Sequence, residues 1–249
     1  MKNSIWNKSL IYSTSGVLVL ILGWIVVSTI ADNDLIFPRI EQIGKAIIDI
    51  FGKTQNLKYI GFDIIRIIFS VMVSFLFSII VIFFYIRFRN SYHFLKPILV
   101  FFKTIPVVAI SIFIWLLVGG KNVPIITTVL VTIPVIIGGL VGAIDSMDQN
   151  LVDELKMVNN NHFIAFFQVY LPYLLPYIFI AFFQTFGLGL KVMVTSEYLS
   201  QTNNSIGKAL YNAQSNIALD VILAWSIIII VFVGICEGVI KRISKNLAY

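Results

Sequence analysis

Charge is scarce in this chain. Asp, Glu, Lys and Arg make up 12% of its 249 residues, about half the share found in soluble domains. Cysteine is scarcer still. The single Cys236 excludes an internal disulfide and any cysteine metal cluster, and reads as a small buried apolar residue. The two histidines, His93 and His162, fall in segments expected to be cytoplasmic loops, so no metal centre follows. No GxxxxGK[ST] phosphate loop and no HExxH occur, and no Ser/His pair falls at membrane depth. ATP hydrolysis by a phosphate loop, zinc proteolysis and intramembrane serine proteolysis are therefore not expected. The chain reads as a non-enzyme without a cofactor of its own.

What fills the space is apolar. Hydrophobic residues reach 59% and the mean hydropathy is +0.95, which implies an all-α polytopic membrane protein. At about 20 residues per span, six apolar runs can be placed: Leu10–Ile30, Phe62–Ile86, Leu95–Val118, Asn122–Ile144, Tyr173–Leu199 and Leu219–Ile240. The first is too long for the core of a signal peptide and lacks a convincing cleavage pattern, so it reads as an uncleaved span. The formal charge of +6 points to basic cytoplasmic loops rather than nucleic acid. Nine bases fall inside on this layout: Lys2, Lys8, Arg87, Arg89, Lys96, Lys156, Lys241, Arg242 and Lys245. Six fall outside: Arg39, Lys45, Lys53, Lys58, Lys121 and Lys208. The bias puts both termini in the cytoplasm. Residues 1–58 then form a first span with an outer amphipathic segment, 59–240 a membrane core, and 241–249 a basic tail.

Between the first two spans, FPRIEQIGKAIIDIF places Ile40, Ile43, Ile47, Ile48 and Phe51 largely on one helical face, as for a helix lying at the interface with lipid. Asp63 and Arg66 stand i, i+3 and read as a paired structural couple or a solute contact. Pro97, Pro106, Pro124 and Pro134 fall in the third and fourth spans. Each is a packing kink or a bend lining a path, because proline in lipid frees backbone groups that need new partners. Lys191 and Glu197 lie in the fifth span, six residues apart and so not stacked. An ionisable group at depth faces a bundle interior or water. Lys191, with Pro106 and Pro134, is a candidate for a translocation path; Glu197 reads as structural, with Asp63 and Arg66.

The long polar-bearing stretch is LVDELKMVNNNHFIAFFQVYLP. Leu151, Leu155 and Val158 share a helical face, and Asp148 or Asn150 can cap its start. Asp153 and Glu154 sit in the early turns, where the helix dipole favours acids. Asn159 to Asn161 can end that helix. A second helical pattern runs His162 to Tyr170, and Leu171-Pro172 closes the elbow before the fifth span.

This stretch resembles the cytoplasmic coupling loop of permease subunits of binding-protein-dependent type I ABC importers. The family pattern is Glu-Ala-Ala, three residues, Gly, then a dozen residues to Leu-Pro. Asp153 stands at the Glu position, Glu154 and Leu155 at the Ala positions, and Asn159 at the Gly position. Asp keeps the charge and Asn the left-handed option, while Glu154 departs from the pattern. FFKTIPVVAISIFIWLLVG, Arg66, Glu197 and Ser205-Ile206-Gly207 also resemble family segments. The stretch around Pro38 is similar to one in the nitrate, sulfonate and taurine branch; a pyrimidine-precursor branch is the neighbouring alternative. The resemblance implies a coupling loop over 145–172 within an ABC transmembrane core. It implies ATPase subunits that bind the ATP, an extracytoplasmic substrate-binding protein, a second permease copy forming a homodimer, and surrounding lipid in the cell inner membrane. A stand-alone secondary transporter is the alternative.

Overall fold

Lipid offers no hydrogen bonds to a polypeptide backbone, so an apolar chain of this kind must close its amides internally. Every regular element among the described residues is helical. The computed structural model describes residues 2–31, 33–148 and 162–247. In order come α1 (Lys2–Ala31), α2 (Ile40–Gly52), α3 (Thr54–Arg87), α4 (Ser91–Thr104), α5 (Val107–Val118) and α6 (Val123–Asp145). After them come α7 (His162–Ala165), a π-helical turn (Phe166–Tyr170), α8 (Leu171–Ser200), α9 (Ile206–Ser215) and α10 (Leu219–Leu247). Five stretches are long and apolar enough to cross a membrane: Thr14–Ala31, Thr54–Arg87, Val123–Asp145, Phe163–Ser200 and Leu219–Gly238. The all-α polytopic reading stands, with five crossings and a sixth if α4 and α5 together make one.

That sixth stretch carries the bend that its prolines left open in the sequence. Leu95–Val118 is not one rod: α4 and α5 meet at 97°. The cause is Pro106, whose ring disfavours the helical region for the residue before it. Ile105 is accordingly extended at φ −64°, ψ 134°. Proline acts differently at Leu171-Pro172. No stop occurs there, because the helix runs through from His162 to Ser200. The turn before it is wide, with the Leu171 N–H donating to the Phe166 carbonyl five residues back. A wide turn gives room where the proline ring would crowd the preceding turn. Two boundaries also move. The helix of the second span starts at Thr54 rather than Phe62, and the segment between the fifth and sixth apolar runs is not all loop, since it holds α9.

The chain divides into two compact units, Met1–Thr54 with Leu210–Ile228, and Gln55–Ala209 with Ile229–Tyr249. In the first, Trp24 Nε1 donates to the Pro38 carbonyl at 3.1 Å and its ring meets Phe37 edge-on at 5.8 Å. The Arg39 N–H donates to Gln42 Oε1 at 2.8 Å, so a side chain inside α2 reaches back to satisfy its entry. The buried face of α2 is Ile43, Ala46 and Ile50. Ile40, Ile48 and Phe51, expected on the apolar side, are exposed. Exposed apolar residues of this kind are what a helix lying at the interface with lipid would present.

The second unit packs Ile67 and Val71 of α3, Ile136, Ile137 and Leu140 of α6, and Leu174 and Met193 of α8 into one core. Small residues let these helices approach, as expected where lipid gives no hydrophobic drive between them. Ser70, Ser74 and Ser78 line one side of α3 at intervals of four, each fully buried. Each hydroxyl donates to the carbonyl four residues back, at 2.7–2.8 Å. Ser74 also shares a 2.7 Å hydrogen bond with Thr132 of α6, and Ser111 of α5 shares one of 2.7 Å with Ser196 of α8. Gly189 completes the crossing. A Cβ there would lie 2.8 Å from Ile67 Cδ1 and 3.2 Å from Thr128 Cγ2. Gly189→Val should therefore cost about 1–3 kcal/mol through overpacking. Thermal unfolding in detergent checks this, with Gly16→Val, where nothing lies within 4 Å, expected to unfold like the parent.

Candidate functional site

The second unit has polar clusters at its two ends. One sits where α3 begins and α8 finishes. Asp63 and Arg66 stand one turn apart on α3, and Arg66 Nη1 lies 3.0 Å from Asp63 Oδ1. The same nitrogen lies 3.2 Å from Glu197 Oε1, across 131 residues of chain. Asp63 and Glu197 are 1% and 0% exposed, and Arg66 18%. Two buried carboxylates thus converge on one guanidinium, whose planar fork suits several acceptors at once.

The guanidinium also holds backbone. Its Nη1 donates to the Asn204 carbonyl and its Nη2 to the Asn203 carbonyl, both at 3.1 Å. The carboxylates take the neighbouring donors. The Ile206 N–H donates to Asp63 Oδ2 at 2.8 Å, and the Gly207 N–H to Glu197 Oε2 at 3.3 Å. Those are the first amides of α9, which have no partner within the helix and favour negative charge. Gln201 and Asn204 carry the turn with φ of 50° and 53°. Gly207 must be glycine for a different reason: a Cβ there would collide with Glu197 Cβ and the Tyr198 backbone. Beside the turn opens a cavity of about 410 Å³, lined by Phe62, Arg66, Lys121 and residues of the 200–204 turn.

The other end bears on the loop. Leu151, Asp153, Glu154, Leu155, Val158 and Asn159 lie outside the described residues, as does the helix end expected at Asn159 to Asn161. Their two flanks are described. At the end of α6, Asp145 Oδ1 accepts from the Tyr85 hydroxyl at 2.6 Å and pairs with Arg89 Nη2 at 3.3 Å. The Arg89 guanidinium lies over the Tyr85 ring at 4.9 Å. Met147, two residues on, is buried. On the far flank, Phe83 of α3 meets Phe166 edge-on at 5.4 Å, so α3 touches both approaches to the segment. Leu171 is half-buried and Pro172 exposed within the continuous helix.

The candidate path residues separate. Pro106 is exposed at the α4–α5 break, and Pro134 is buried inside α6. Lys191 is exposed on α8. Gly207 falls in the Ser205-Ile206-Gly207 stretch noted from the sequence; Asn203 and Asn204 were not singled out, although Asn-Asn-Ser-Ile-Gly is a readable turn composition. Nothing local signals Tyr85 and Asp145, which are 60 residues apart.

Residues 74–247 match the family model of the binding-protein-dependent transport system inner membrane component. The chain belongs to this family. It is a transport component of the inner membrane, crossing it several times. Among solved structures, a chain of the MetNI methionine ABC transporter in an inward-facing conformation has a similar fold. The TM-score is 0.62 and the identity 13%, covering 77% of this chain and 93% of that one. No curated protein sequence matches this inner membrane component significantly.

The Arg66 cluster makes a sharp prediction. Arg66→Ala leaves two buried acids and two carbonyls without their donor. It should destabilise the folded chain by about 3–5 kcal/mol, the cost of breaking a buried pair from one side. Thermal unfolding of the detergent-purified protein measures this. Lys121→Ala, which removes an exposed lysine from the same cavity rim, should change stability by less than about 0.5 kcal/mol.

Proposed function

We propose that this chain is the permease subunit of an ABC importer, with both termini in the cytoplasm. The family match over residues 74–247 carries the reading. The fold shared with a chain of an ABC transporter and the loop pattern from Asp153 to Leu171-Pro172 support it. Two copies pair, and the solute path runs between them. ATPase subunits engage the Leu151–Asn159 segment from the cytoplasm, and a binding protein delivers solute at the opposite face. ATP is bound by those partners. The nitrate, sulfonate and taurine branch is the assignment supported by the Pro38 stretch.

Mechanically, the segment between Asp145 and Leu171 is suited to pass on a movement. Its α6 flank is tied to α3 through Tyr85 and Arg89, and its α8 flank abuts α3 at Phe83 and Phe166. A push on the loop is then felt by three spans together. ATP and loaded binding protein bias this equilibrium only by their different affinities for its two states.

The test is co-purification of the tagged chain in mild detergent, with subunits identified by mass. An ATPase is expected at equal stoichiometry. Asp153→Arg or Leu155→Arg should lower its recovery at least about tenfold, the effect of roughly 1.4 kcal/mol, with membrane insertion intact. A folded chain that comes down alone in quantity overturns the proposal in favour of a stand-alone transporter.

A further inference from the structure

One face of α8 carries a line of polar groups, of which Tyr177 also packs against the core. Tyr177, Gln184, Lys191 and Thr195 follow at intervals of seven, seven and four residues, which is a single line along a helix. Gln184 and Lys191 are exposed, and Tyr177 and Thr195 are half-buried. The other side of the helix is closed by Leu174, Phe186, Met193 and Glu197. Neither Gln184 nor the Lys191 ammonium has a side-chain partner among the described residues, and Thr195 turns its hydroxyl onto the Lys191 carbonyl at 2.8 Å.

A face of this kind does not belong against lipid. Lys191 lies nine residues from the end of α8, roughly 13 Å along the axis. Its four-carbon stem covers only part of that distance. Gln184 lies a further seven residues in, roughly 10 Å deeper, and its short amide cannot reach headgroups at all. Polar side chains at depth face water or protein. The charge on the line has one sign. Lys191 is the sole base of α8, and Glu197, its sole acid, points away into the core, paired with Arg66.

We propose that the Tyr177–Gln184–Lys191–Thr195 face lines a water-filled passage, and that Lys191 there receives a small solute through an anionic oxygen-bearing group. Gln184 and Thr195 supply neutral hydrogen bonds on either side. The proposal rests on the permease reading above and adds to it the residues of this chain that meet the solute.

The test needs no knowledge of the solute. In full-length chain in native membranes, with Cys236→Ala removing the one native thiol, Gln184→Cys is challenged with two membrane-impermeant thiol reagents. One is sulfonatoethyl and the other trimethylammonioethyl methanethiosulfonate. Gln184→Cys is expected to react with both, while Leu20→Cys, on an apolar exposed position of α1, does not. Adding Lys191→Gln should lower the anionic-to-cationic rate ratio about fourfold at low salt, the effect of one unit charge roughly 10 Å away in bulk water. Thr195→Cys, one turn from Lys191, serves if Gln184→Cys does not accumulate. Thiols as unreactive as Leu20→Cys, with and without ATP, overturn the aqueous face. An unchanged rate ratio overturns the role of Lys191. Recovery of the ATPase with the same variants is scored separately, so a failed permease reading shows as lost co-purification and a failed passage as lost labelling.

Discussion

Everything in the larger unit depends on one guanidinium meeting two carboxylates in a place with little water. Asp63 and Glu197 are as buried as the leucines around them, and an isolated charge in such surroundings is far too costly to persist. Arg66 makes their burial tolerable. The same guanidinium, and the second oxygen of each acid, also hold the backbone of residues 203–207. The cluster is therefore both a group of buried charges and a fastening of the turn, beside the turn's own bonds from Ser205 to the Thr202 carbonyl and from Lys208 to Gln201. Asn204 and Gln201 adopt left-handed backbone, which a short loop retains only when something outside it fixes the carbonyls.

The same economy governs the rest of the bundle. Where α3 and α6 approach, serine and threonine hydroxyls return to their own helix backbone and then to each other. The side chains stay small enough for close contact, and among the described residues the buried Thr127 and Thr128 hydroxyls of α6 are left without a partner. Where the backbone itself must break, at Ile105-Pro106, the break lies on an exposed part of the chain. Irregular backbone at membrane depth is tolerated only against protein or water, so the α4–α5 elbow belongs to a wet or protein-covered surface. That places it in the same class as the polar line on α8.

How much of this could be read from the sequence follows from the range of each interaction. Apolar length is a sum over neighbours, so the membrane-spanning helices were legible from composition. The Asp63–Arg66 pair was legible because i, i+3 is one helical turn. The third member was not, since Glu197 arrives from 131 residues away; the sequence says only that it needs some partner. Proline was legible as a disturbance but not as an outcome. Pro106 breaks its helix at 97°, Pro134 sits inside one, and Pro172 follows a π turn that absorbs it. What differs is whether the neighbouring helices and the preceding turn can re-accommodate the lost amide, and that is a tertiary property. On α2 the apolar residues were legible, but not their division: Ile43 and Ile50 are buried, while Ile48 and Phe51 are exposed.

The two polar ends are joined by a single element. Arg66 and Tyr85 lie on α3, 19 residues apart, which is roughly 28 Å along a helix and close to the thickness of the hydrocarbon core. One residue fixes the turn at the head of α9; the other, through Asp145, fixes the α6 flank of the 146–161 segment. The serines between them hydrogen-bond back along α3, and Ser74 also reaches Thr132 of α6, so both polar ends belong to one helix that is tied to α6 midway. The polar line on α8 is carried by the helix that shares the Arg66 cluster through Glu197.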